Sequence, residues 1–595
     1  MKRSLVLLFL GAAAALGIWY GMRAAGPLKT SNAAVTALLP KETLALFHLP
    51  DFNRTRKHWR EPAVQEFLQK PLSRVPNTAG VRERIQQLAS LEVKDAFLAL
   101  TGWAEERPIL LAGFHFKGSN EDAEKVIGHW RVRAQQHLPA AKRETVEYEK
   151  HRIEAVTHNA KTIATVYDGN WFFAANDVAA LKSLLDRADG RLKDPASTLA
   201  ADENFTASLK HLPASYAAFG YGRLDQYFQK LAVRLPQDGS ASGQAALVSQ
   251  VRSISAATSF DNGRIRDVLY VAMPRLSEAE ELNRNSLSLT TKDSFLYMAS
   301  VLAWPREMAL PGPQAIAAGG IPPALQQLVA AFGANGITLE EWNSAFGQEV
   351  GLVGDWPENA RWPALFATLP VKDVAKAKRI AAIITSGTSA GEGWSTSDKE
   401  GVQYYARAPA NPMIPVAPAA GISDRWVVLG LDLGFVEAAI KRGAATNSGL
   451  AGAQTFKDAE RLVPAAKQSF TYLDSALLYQ RLDAALRPML VMAAAFVPRL
   501  AEQVDLTKLP AAEVITKHLS PVAISQGYRT DGYVTESVGP VSIYQGLLAA
   551  VAVSGAGAAF YQHQTQPGGS GIGNLGTATP MVTPGGASPS PAGTP

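Results

Sequence analysis

Ser389, Asp474 and His518 are the residues of this chain whose types and order come nearest to a reaction. Ser389 stands in Gly387-Thr388-Ser389-Ala390-Gly391, a G-x-S-x-G pattern, and Ser, Asp, His is the order in which α/β-hydrolases supply nucleophile, orienting acid and base. Such a nucleophile needs a strand before it and a helix after it, so that a strained turn presents the hydroxyl beside an oxyanion-binding amide. Here VAKAKRIAAIIT before the serine has helical spacing, and GEGWSTSDKEG after it reads as a loop. The predicted context is inverted, which argues for a solvated Gly/Ser loop.

Other chemistries fare no better. Gly571-Ile572-Gly573-Asn574-Leu575-Gly576 spells a dinucleotide fingerprint, but inside a stretch without strand or helix signal. His151 with His158, and His129 with His137, lack the i,i+4 spacing that puts two ligands on one helical face. The absence of cysteine removes disulfides, thiolate metal sites and cysteine nucleophiles. No catalytic, cofactor-binding or metal-binding residue is assigned, and no cofactor is expected. Arg54, Arg56, Lys57 and Arg60 form the densest basic run, suited to anionic headgroups or, more simply, to the solvated face of a helix. Trp103 with Trp356, and Trp171 with Trp426, recur at equivalent places and could line a cleft, although Trp171 inside an apolar run points to core packing.

The elements that would position these residues come in two similar series. DGNWFFAANDVAALKSLLDRA at 168–188 is echoed by SDRWVVLGLDLGFVEAAIKRG at 423–443, and four further windows align in the same order at an offset of about 251 to 255. Within each series short alternating runs read as strands, and segments such as DVAALKSLLDRA read as helices capped by Asp177 or Asp432. Hairpins are expected around Asn262-Gly263 and Asp531-Gly532. The predicted fold class is α+β: two tandem homologous α+β units, 38–275 and 288–541, with 235–244 and 408–421 as linkers or insertions.

The ends suggest a location. MKRSLVLLFLGAAAALGIWYGMR places two cations before an uncharged stretch at 4–22, which reads as a signal anchor over residues 1–26 rather than a cleaved peptide. Lys2 and Arg3 would stay in the cytoplasm, with a linker at 27–37 leading to an extracytoplasmic body. Residues 543–561 carry no charge and read either as a second span or as an Ala/Gly-rich helix packed on the body. The Gly/Pro-rich tail at 562–595 is expected to be disordered. A net charge of +5 over 58 basic and 53 acidic residues gives no field strong enough to favour nucleic acid.

LLPKETLALFHLPDFNRTRKHW, followed by units ending in GNWFFAANDVAALKSLL, resembles an uncharacterised bacterial family of membrane-anchored extracytoplasmic proteins, catalogued only as a domain of unknown function. The resemblance runs from about residue 38 to 540 and implies an inner-membrane, periplasm-facing protein, but carries over no catalytic residue. The leading expectation is therefore a tethered envelope scaffold or binding protein whose partners are the lipid bilayer and other envelope proteins. A serine hydrolase using Ser389 and a carrier of lipid or another apolar ligand in a cleft between the halves are the rivals.

Overall fold

The computed structural model describes residues 33–59, 86–104, 107–136, 141–158, 161–225, 250–261, 263–275, 281–301, 335–358, 360–387, 393–409, 417–445, 449–496 and 511–542. The signal anchor, the segment 543–561 and the tail lie outside these residues. Among the described residues no helix is long and apolar enough to cross a membrane.

Among the described residues, alternating runs of β-branched and aromatic residues fold into twenty strands. The first ten are β1 (Ala45–Asp51), β2 (Lys94–Ala104), β3 (Arg107–His115), β4 (Lys142–Tyr148), β5 (His151–His158), β6 (Lys161–Asp168), β7 (Trp171–Ala175), β8 (Ala218–Arg223), β9 (Ser253–Asp261) and β10 (Arg264–Ala272). The second ten are β11 (Ser294–Val301), β12 (Glu349–Asp355), β13 (Ala364–Pro370), β14 (Trp394–Lys399), β15 (Val402–Arg407), β16 (Ala419–Ile422), β17 (Trp426–Gly430), β18 (Ser469–Leu473), β19 (Val522–Tyr528) and β20 (Gly532–Gly539).

All described pairings are antiparallel, and they form one open sheet. Its order is β4-β5-β6-β7-β3-β2-β1-β8-β9-β10, then β20-β19-β18-β11-β12-β13-β17-β16-β15-β14. The second run repeats the strand order of the first in reverse, which gives the sheet a pseudo-two-fold arrangement about the β10–β20 pair. There Ile265 faces Gly539 and Ala272 faces Gly532, with continuous register between them.

This corrects the expected fold class. Two tandem α+β units would each close around their own sheet, but the described strands form a single antiparallel 20-stranded sheet. The physical reason is the pattern of the last strand of each half. β10 is buried at every second position or better along its length and β20 at five of its eight residues, and the backbone groups along an edge of so buried a strand are costly to leave unpaired. Each satisfies the other.

Helices cover both faces. On one face of the first half, Leu181, Leu184 and Leu185 of the helix Val178–Ala188 pack on Phe173 and Ala175. The matching helix Leu433–Ala444 sets Val436, Ala439 and Ile440 against Tyr404, Ala419 and Val428. Asp177 and Asp432 cap these helices by accepting from Ala180 N at 2.7 Å and Phe435 N at 3.0 Å, each cap contributing about 1 kcal/mol. The opposite face carries a second core, with Ile127 and Phe116 in one half and Ile380 and Phe346 in the other.

Two local expectations also change. Ala419–Ile422, which overlaps the end of the expected linker or insertion at 408–421, is the fully buried strand β16. Small residues are needed there: a Cβ on Gly421 would sit 2.4 Å from Ile440 Cδ1. Residues 33–38, which begin inside the expected linker at 27–37, form a helix whose Val35 is buried.

Candidate functional site

The serine candidate loses its geometry at the level of elements. Val374–Gly387 is a helix that ends at the first glycine of the pattern, and Trp394–Lys399 after it is strand β14 rather than the expected loop. Ser389 itself lies outside the described residues. The order helix then strand is the reverse of what a nucleophile elbow requires. Asp474 is committed elsewhere: it caps the helix Ser475–Phe496, accepting from Leu477 N at 2.9 Å, and receives the Tyr472 hydroxyl at 3.3 Å. His518 is exposed beyond the short helix Ala512–Thr516.

The sharpest gathering of ligand-type atoms is one the sequence spacing did not single out as a site. His151, Asp168 and Asp189 bring one nitrogen and two carboxylates within 4.8 Å of one another, a donor set suited to a divalent cation. His151 opens β5, Asp168 closes β6, and Asp189 follows the helix Val178–Ala188. They meet only through the tertiary fold, so no local motif could reveal them.

Their charges are already balanced. Asp189 accepts from His151 Nε2 at 2.8 Å, from Lys150 Nζ at 2.6 Å and from Arg191 at 2.5 Å. Burial alone would push its carboxyl up, but the hydrogen bonds from Lys150 and His151, with Arg191, outweigh burial and hold it down at about 2. A metal ion entering here would have to displace two cations. Arg191 also reaches Asp186 at 2.7 Å, and Asp186 in turn accepts from the Tyr148 hydroxyl at 2.9 Å. The cluster ties the β4–β5 turn at one sheet edge to the end of a helix.

A second buried histidine shows the same kind of use. His48, fully buried on β1, meets the Tyr216 hydroxyl through Nδ1 at 2.9 Å, and its Nε2 faces Asp95 at 3.4 Å. Asp95 holds a left-handed backbone, φ 47°, at an irregularity in the β2–β3 pairing. The register places Ala299 where β1 has His48, and Val402 where β5 has His151. The same sheet is thus built with apolar residues at both places, so neither histidine is dictated by the strand pairing.

At the seam, His211 Nε2 meets Asp531 Oδ1 at 2.7 Å and its ring stacks on Tyr270 with centroids 4.4 Å apart. Arg266 of β10 bonds Glu536 of β20 at 3.0 Å and the Leu462 carbonyl at 3.0 Å. Burial, and then the nearby Asp531 carboxylate, raise the Tyr270 hydroxyl above its ordinary range. These groups lock one half to the other. The cleft between halves, which the rival carrier reading needs, is closed at this line by the direct β10–β20 pairing.

The tryptophan pairs are packing groups. Trp356 and Trp426 are buried, Trp171 stacks on Phe173 at 5.3 Å, and Trp103 is half-buried in β2. In the basic run, Arg54 N donates to Asp51 at 2.8 Å at the start of the helix Phe52–Trp59, while Arg60 lies outside the described residues. Also outside them are the 571–576 fingerprint and His137.

No family model matches the chain, and no curated protein matches it. Among solved structures, crystal form I of TP0453 is similar at 6% identity and a TM-score of 0.21, over 40% of this chain and 79% of that one. Crystal forms III and IV of TP0453 are similar at 8% and 6% identity, each with a TM-score of 0.23 over 40% of this chain. Superposition this poor carries no argument about fold or function.

Proposed function

We propose that this protein is a membrane-tethered scaffold or binding protein of the bacterial envelope, with its body on the far side of the inner membrane. The observation that carries this reading is the β10–β20 seam. Eight registered residue pairs join the halves there, reinforced by the His211–Asp531 and Arg266–Glu536 bridges. They make one stiff platform instead of two domains able to close on a substrate.

The platform has two equivalent ends with different chemistry. β4 presents KRETVEY and β14 presents WSTSDK, each paired on one side only among the described residues. Polar, charged edge strands resist unplanned sheet extension, and their different side chains suit two different neighbours. The uncharged residues 4–22 after Lys2 and Arg3 support a tether oriented with the body outward.

The test is a pair of fusions with the reporter joined after Ser542 in place of residues 543–595, one to alkaline phosphatase and one to green fluorescent protein. Phosphatase activity with a dark fluorescent fusion is expected. The opposite result would overturn the proposed location.

A further inference from the structure

The two ends of the sheet are equivalent in fold but not in charge. In the β4–β5 hairpin, Tyr148 pairs with His151 across the two-residue turn Glu149-Lys150. Such a turn makes the flanking pair a hydrogen-bonded one, and bonded and non-bonded pairs then alternate along an antiparallel ladder. Tyr148, Val146 and Glu144 therefore spend their N–H and C=O groups on β5. Those of Glu147, Thr145 and Arg143 point to the open edge, where β4 has no partner strand among the described residues. The side chains of these three residues share one face of the sheet, and all three are exposed.

Turned end to end, this row matches itself. Laid antiparallel on β4 of a second copy about a two-fold axis at Thr145, it sets Arg143 of each copy directly opposite Glu147 of the other, and each of these pairs can exchange both backbone hydrogen bonds. Neighbouring registers fail. An axis at Arg143, at Glu144 or at Glu147 sets that residue against its own like charge. An axis at Val146 runs Arg143 against the turn residue Glu149, whose left-handed backbone, φ 53°, does not continue a ladder.

The other end of the sheet lacks this match. Lys399 pairs with Val402 across the turn Glu400-Gly401, so by the same alternation Asp398, Thr396 and Trp394 face the open edge of β14. An axis at Thr396 would set Trp394 against Asp398 and leave the carboxylate without a cation. β4 on β14 of another copy would gain one charge pair, Arg143 with Asp398, where β4 on β4 gains two, and it would run on as an open chain instead of closing. We infer that two copies of this protein join edge to edge through β4, antiparallel about Thr145, so that the sheet continues across a two-fold axis. A charged edge rejects strands that leave its charges unmatched and accepts the one that matches them. The inference supplies the neighbour at one end of the platform and does not depend on the membrane tether.

The test is sedimentation of the full-length chain in mild detergent, where a dimer is expected. Arg143→Glu should weaken that dimer about tenfold or more, because each junction then opposes two carboxylates, and Arg143→Glu combined with Glu147→Arg should restore it. The chain has no cysteine, so single cysteines report cleanly. Thr145→Cys should give a disulfide-linked dimer on mild oxidation, since the Cα atoms of a bonded antiparallel pair lie about 5.5 Å apart; Thr396→Cys should not. A parent chain that stays monomeric at every concentration overturns the inference, and so does a dimer that Arg143→Glu leaves intact. Cross-linked ladders longer than a dimer from a chain carrying both Thr145→Cys and Thr396→Cys would show β4 on β14, which also overturns it. None of these outcomes bears on the location of the body, which the reporter fusions read separately.

Discussion

Glu149 and Glu400 share a left-handed backbone, φ 53° and 55°, at the same point of equivalent hairpin turns at the two far ends of the sheet. Neither residue type favours that region, because the Cβ crowds the following carbonyl. Each turn therefore stores strain that glycine would release. Glu149→Gly and Glu400→Gly should each stabilise the fold by about 0.5–1 kcal/mol, read as an increase in the urea midpoint at unchanged slope. A loss of stability in either variant would show that the glutamate side chain holds the turn by a contact that outweighs the backbone strain.

The seam should behave as one coupled unit. His211→Ala and Asp531→Ala each remove one side of a half-buried bridge that spans the two halves. A double-mutant cycle should return a coupling of about 1 kcal/mol. Additive losses would mean that the 2.7 Å contact contributes nothing to holding the halves together.

Asp189 makes stability depend on acid. Its carboxyl ionises at about 2 in the fold against an ordinary value of 3.8, so the folded state favours the charged form. The stabilisation is complete above the unfolded value and fades as pH falls through that window. Its size is on the order of 1–2 kcal/mol. Asp189→Asn should flatten the stability profile between about pH 4 and pH 2 relative to the parent; an unchanged acid limb would contradict the assigned role of Lys150, His151 and Arg191.

Ser389→Ala should leave the protein unaltered in fold and in reactivity, since a helix precedes the motif and Asp474 is engaged as a cap. Asp474→Ala should instead cost about 1 kcal/mol through the lost cap. Fluorophosphonate labelling that disappears only with Ser389→Ala would restore the hydrolase reading.

What the sequence shows and what it hides divide along physical lines. The caps at Asp177 and Asp432 and the close turn between Asp261 and Arg264 are local, fixed by residues a few positions apart, and the sequence displays them. The pairing of β10 with β20 is not local. VLYVA and YVTESV announce strands, but nothing in their alternation names the partner, and separate domains were the natural expectation. The His151, Asp168 and Asp189 cluster was hidden for the same reason: its members share no helix face or loop. Strand β16 was hidden by composition, because Ala-Ala-Gly-Ile reads as a linker until the close approach of Ile440 explains the small residues.

Native-state hydrogen exchange at the seam tests the continuous sheet most directly. The amides of Val268, Leu269 and Tyr270, and of Val534, Thr535 and Glu536, lie in the registered pairing of β10 with β20. If the sheet is one cooperative body, those amides that bond across the seam exchange only through global unfolding, in step with central amides of β1 and β11. Fast exchange there, with each half still protected, would show two domains with free edge strands and contradict the account.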